Sequence, residues 1–139
     1  MERRMFTDIA DVNRIWVENY TIASIESFDE ESLVITGDQG YPDYLRIDVK
    51  FIAPQYLACA THFDGEVLWR IASEEEAKLV RQTYKDNSHI NVYCVEENFS
   101  AFLPPHPNRK PRKFFIAAVR VEITVFYGGK NIDELLRPK

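Results

Sequence analysis

Between Tyr44 and Phe51 the chain alternates strictly: Leu45, Ile47, Val49 and Phe51 are apolar, and Arg46, Asp48 and Lys50 are charged. A period of two sends successive side chains to opposite faces, so this segment reads as a strand with one buried face and one wet face. A longer run, Phe114 to Tyr127, carries an apolar series at Phe115, Ala117, Val119, Val121, Ile123, Val125 and Tyr127. Its other face is apolar at Phe114, Ile116 and Ala118 and polar at Arg120, Glu122 and Thr124. The run therefore predicts one long strand, covered on both sides at its start and wet on one side at its end.

Further strands are predicted over Val17–Phe28 with a bulge near Ile25, Leu33–Thr36, Tyr56–Phe63, Glu66–Ala72 and His89–Val95. Asp29-Glu30-Glu31 reads as a turn, and Asp64-Gly65 as the tip of a two-residue hairpin joining the strands on either side of it. Ser73-Glu74-Glu75-Glu76 is a capping-box pattern that opens a helix over about 74–85, burying Ala77, Val80 and Tyr84 with Leu79 at its margin. Thr7 reads as the cap of a short helix over about 8–16, and residues 131–136 as a last helical turn. The connections are short, which implies antiparallel pairing. The sum is an α+β fold: a curved antiparallel sheet or half-open barrel of about seven strands, with one main helix (74–85) packed on it.

A chain of 139 residues with 45% hydrophobic and 28% charged residues is the size and composition of a single globular domain, here 1–139, and excludes intrinsic disorder. It buries enough surface to fold without a disulfide or metal. The two cysteines, Cys59 and Cys94, lie in separate apolar runs without C-x-x-C spacing, and read as buried reduced thiols. No segment approaches the ~18 apolar residues of a membrane span, and the charges of Met1–Asp8 have no apolar run behind them. A cytoplasmic protein with no membrane association is expected.

The formal net charge is −5, and it becomes −9 once the four cations Arg109, Lys110, Arg112 and Lys113 are set aside. An acidic body argues against nucleic-acid binding, and four cations alone would give only weak, salt-sensitive contacts to phosphates. Those cations lie in Pro104–Lys113, which also holds His106 and four of the seven prolines. Proline stiffens the segment and lowers the entropy cost of docking, so Arg109, Lys110, Arg112, Lys113 and His106 form the candidate surface for a protein partner or for self-association. The plainer reading is a solvated connection between strands.

Chemistry-bearing patterns are sparse. His62 and Asp64 sit two apart and share a face if both are on a strand, which makes them the weak catalytic candidates. Asp64 is equally well used by the Asp-Gly turn. The three histidines, His62, His89 and His106, show no metal-ligand spacing, so no metal and no cofactor are expected. Glu74-Glu75-Glu76 is explained by capping and the helix dipole, and Glu96-Glu97 reads as a pair of turn acids. The eighteen aromatic residues serve a core, or line a concave sheet face that takes a small apolar ligand. The function expected first is a non-catalytic interaction protein acting through protein–protein contacts, possible as a homodimer. A small-molecule-binding domain on the concave face comes second, and a small enzyme using His62 with a carboxylate third.

Overall fold

The computed structural model describes residues 2–16, 22–38, 45–58, 62–63, 66–83, 90–98 and 112–128. In chain order the elements are β1 (Glu2–Phe6), α1 (Asp11–Trp16), β2 (Ile22–Phe28), β3 (Ser32–Asp38), β4 (Leu45–Ile52), β5 (Tyr56–Ala58), β6 (His62–Phe63), β7 (Glu66–Ile71), α2 (Glu74–Thr83), β8 (Asn91–Asn98), β9 (Arg112–Ala118) and β10 (Arg120–Tyr127). Six strands form one sheet in the order β1-β10-β4-β3-β2-β6, and four form a second in the order β5-β9-β8-β7. All of their pairings are antiparallel. The α+β class and the antiparallel sheet stand. Among the described residues the expected seven strands become ten, the short helix expected over about 8–16 is present as α1, and the half-open barrel becomes two sheets that meet at a corner.

That corner corrects the reading of 114–127 as one strand. Ile52 of β4 lies opposite Arg120 of β10, and Tyr56 of β5 lies opposite Ala117 of β9. Four steps on one strand thus face three on the other, the count of a bulge. Ala53 takes up the irregularity with φ at 51°. Its N–H donates to the Glu31 carbonyl at 2.8 Å, while the Val119 N–H donates to the Ile52 carbonyl at 2.9 Å. The apolar phase flips here: Ile116 and Ala118 enter the core from β9, but Val121, Ile123 and Val125 enter it from β10. Val119, between the two phases, is 38% exposed. The bend lets one segment serve both sheets.

The hairpin expected at Asp64-Gly65 is also corrected. β6 pairs with β2 in the six-stranded sheet, whereas β7 pairs with β8 in the other. An Asp-Gly pair states a local turn preference, and the burial of Val67 and Trp69 between the sheets decides where β7 goes. Asp64 and Gly65 themselves lie outside the described residues, as do Tyr84 and 131–136.

Elsewhere the local chemistry matches. β2 has its register shift between Ile25 and Ser27. The Asp29 carboxylate accepts from the Glu31 N–H at 2.8 Å and the Ser32 N–H at 2.9 Å, and these bonds hold it below the usual carboxylate range. α1 begins at Asp11 because Asp8, not Thr7, turns the chain: its carboxylate accepts from the Ala10 N–H at 3.0 Å.

The main core lies between the sheets. Leu33, Ile35, Ile47, Val49 and Phe51 of the six-stranded sheet meet Val67, Trp69, Tyr93, Val95 and Ile116 of the four-stranded sheet, with Ile9 and Val12 joining them from the α1 end. Phe51 stacks on Trp69 at 6.4 Å and meets Tyr93 edge-on at 5.3 Å. Each such side chain contributes about 1.5–3 kcal/mol when fully buried. A second cluster lies under α2, where Ala77 and Val80 pack on Ile90, Val92 and Ala117. β9 is apolar on both faces for this reason, as its sequence predicts.

Candidate functional site

Charged side chains converge on the face of the four-stranded sheet that carries α2. Register assembles them: Arg70 lies opposite Cys94 and Cys94 opposite Phe115, while Leu68, Glu96 and Lys113 make the neighbouring row. Directly paired residues point the same way, so both rows share one face while Trp69 and Val95 enter the core on the other.

Glu76 reaches this group from the first turn of α2, held there by the capping box. Its side chain accepts from the Ser73 N–H at 2.8 Å, and its own N–H donates to the Ser73 hydroxyl at 3.2 Å. The Arg70 guanidinium then donates to both Glu76 carboxylate oxygens, at 2.7 and 2.9 Å, in a bidentate fork. The same guanidinium donates twice to Glu96 Oε1, at 3.0 and 2.6 Å. Lys113 Nζ stands 3.4 Å from Glu76 and 4.0 Å from Glu96. Two cations therefore face two carboxylates, joining β7, β8, β9 and α2.

Protonation follows from that geometry. The Arg70 fork, helped by the Ser73 bonds, holds the Glu76 carboxyl well below its usual range, and Glu76 in turn raises the Arg70 guanidinium. Burial pushes the Cys94 thiol up to about 11; the carboxylates of Glu76 and Glu96 act in the same direction, against Arg70 and Lys113. A thiol so placed carries little thiolate at neutral pH. The arrangement fastens a helix to a sheet, with Glu76 held as the carboxylate and Cys94 as the thiol at neutral pH.

The sequence matches no protein-family model, and no curated protein and no solved structure matches the chain.

Two open grooves flank α2. One of about 390 Å³ is lined by Ile71, Ala72, Glu74, Ala77, Arg81, Asn91 and Val92. The other, about 280 Å³, is lined by Tyr56, Glu76, Leu79, Val80 and Phe115. Among the described residues no group of three or more His, Cys, Asp and Glu could hold a metal ion, and no helix is long and apolar enough to cross a membrane.

Of the residues singled out in the sequence, Lys113 enters the ion-pair cluster. Arg112 opens β9 with its guanidinium 5.3 Å from the centroid of the Phe114 ring. His62 lies in β6 opposite Ser24, at the end of a register row that continues through Thr36 to Asp48. Three strand spacings, roughly 14 Å, separate the backbone positions of Asp48 and His62, and the Asp48 carboxylate is already bonded to Arg46 at 2.9 Å and Thr36 at 3.0 Å. Asp64, His106, Arg109, Lys110, His89 and Cys59 lie outside the described residues, while Cys94 is a buried free thiol.

Sequence reasoning missed Arg70, and it gave Glu76 a capping role only. It read Glu96 as a turn acid, but β8 runs on to Asn98. The signal was present in phase: Glu96 follows Cys94 by two residues, and Arg70 follows Leu68 by two.

Proposed function

We propose that the protein is a small non-catalytic interaction protein that acts through protein–protein contacts, self-association included. The observation that carries this reading is the balance of the Arg70–Glu76–Glu96–Lys113 cluster, whose opposite charges are spent on one another. A general base or nucleophile works best with a pKa near the operating pH. Glu76 lies far below that point, and Cys94 at about 11 lies far above it. The buried free thiol fits a reducing compartment, which supports the cytoplasm as its location. The shared core between the sheets supports reading 1–139 as one domain.

Native mass spectrometry of the gently purified protein tests the reading. The expected result is an oligomer or a complex with another protein, weakened when Arg109 and Lys110 are both changed to Gln. A bare monomer overturns it.

A second reading, a small apolar ligand, rests on the groove between α2 and β5, where Tyr56 and Phe115 supply aromatic surface beside Leu79 and Val80. The groove lies on the α2 side of the four-stranded sheet, apart from Phe51, Trp69 and Tyr93, which pack in the main core. Its volume of about 280 Å³ is near the lower bound of ~300 Å³ for ligand pockets. A monomer carrying a few hundred daltons of bound mass would favour this reading.

A further inference from the structure

The seat of α2 is narrow. Ala77 and Val80 are its buried side chains among those described, while Leu79 is 66% exposed. Grooves of about 390 and 280 Å³ run along its two flanks. Polar contacts fasten its ends: Glu76 takes the Arg70 fork in the first turn, and in the last turn Arg81 Nη2 donates to the Ile90 carbonyl at 3.0 Å. The sheet beneath needs neither contact to hold together. β5, β9, β8 and β7 are joined by their own ladders, and their opposite face is sealed against the six-stranded sheet.

Elements that bury little apolar surface open at a lower free energy than the whole fold, and they open as units. We propose that α2 is a detachable cover: it lifts from the four-stranded sheet while both sheets stay folded, uncovering Cys94 and the apolar strip of Val92, Phe115 and Ala117. The Arg70–Glu76 fork is the latch. Cys94 lies opposite Arg70 on the covered face with none of its surface exposed, so its reaction with a thiol reagent reports the lifting.

Changing Cys59 to Ser leaves Cys94 as the single thiol of a chain with two cysteines. Its labelling by a disulfide reagent such as dithiobisnitrobenzoate is then followed in native buffer and in low urea. The expected rate rises only weakly with urea, because lifting α2 exposes a small fraction of the area that unfolding exposes. Glu76→Gln keeps the capping box, which accepts Gln at that position, while it removes the charge and one of the two acceptor oxygens of the fork. It should speed labelling about tenfold. A labelling rate that climbs with the full urea slope of global unfolding overturns the proposal, and so does a rate that Glu76→Gln leaves unchanged. If Glu76→Gln does not fold, Arg70→Lys takes its place, since it keeps the charge and loses the fork. The expectation is again faster labelling, and an unchanged rate again overturns it.

Discussion

The side-chain amide of Asn13 bonds the backbone of Trp69 as a neighbouring strand would. Its Nδ2 donates to the Trp69 carbonyl and its Oδ1 accepts from the Trp69 N–H, both at 2.6 Å. β7 ends the order of the four-stranded sheet, so among the described residues these are backbone groups with no strand on their outer side. One side chain from α1 thus covers an edge that would otherwise be open to another chain. Asn13→Ala leaves a partly buried donor and acceptor without these bonds and should cost about 1–3 kcal/mol. Urea denaturation measures the loss, and faster hydrogen exchange at the Trp69 amide would localise it. Asn13→Asp keeps the acceptor but sets a carboxylate against the Trp69 carbonyl, so it should be no better tolerated than alanine.

The Glu76 carboxyl gives stability a defined response to acid. Its folded pKa is depressed below the ordinary value of 4.5, so its contribution is fully present above that pH. The contribution drains away as the pH falls from 4.5 towards the depressed folded value. Glu76→Gln should lower stability by about 1–2 kcal/mol at neutral pH, since it removes one of the two carboxylate partners of a partly buried guanidinium. It should also flatten the acid limb of a stability-against-pH curve below 4.5. A variant whose acid limb is as steep as the parent's would show that the fork contributes no stability.

How far the sequence reached depended on the range of the signal. Local chemistry was legible: the Ser73–Glu76 capping box, the Asp29 turn and the bulge after Ile25 each depend on residues only a few positions apart. Two-sided burial of β9 was legible too, because Phe114 to Ala118 are apolar in both phases. Partner choice was not. Nothing in the alternation of Glu66 to Ile71 says that it pairs with β8 rather than with the strand before Asp64. β1 was overlooked because the charges of Glu2, Arg3 and Arg4 hide the apolar pattern of a strand whose Phe6 packs on the core. The ion-pair cluster was hidden by distance, since Arg70 and Glu96 are 26 residues apart and only the β7–β8 register brings them together.

Phe51 joins the two sheets through its contacts with Trp69 and Tyr93, and it is fully buried. Phe51→Ala removes a ring that both sheets enclose and should cost about 3–5 kcal/mol, from lost burial and the cavity left behind. Phe51→Leu keeps most of the volume and should cost about 1–2 kcal/mol. Near-UV circular dichroism and urea denaturation together check both. The aromatic signal should collapse in the alanine variant at denaturant concentrations where the leucine variant stays folded.

Ala53 holds the corner where the chain passes from one sheet to the other. Its φ of 51° is in the left-handed region, where a Cβ crowds the following carbonyl and costs roughly 1–2 kcal/mol. Glycine would relieve that strain but add freedom to the unfolded chain, worth about 0.4–1 kcal/mol in the opposite sense. Ala53→Gly should therefore change stability by less than about 1 kcal/mol, towards a gain. Ala53→Val adds a β-branch to the strained position and should lose about 1–3 kcal/mol. If the bulge sets the register, the damage will be local: exchange at the Val119 amide, bonded to the Ile52 carbonyl at 2.9 Å, should quicken in the valine variant. Amides in the middle of β4, around Val49, should keep their protection. Equal quickening at both places would show that the corner does not act as a local hinge of the ladder.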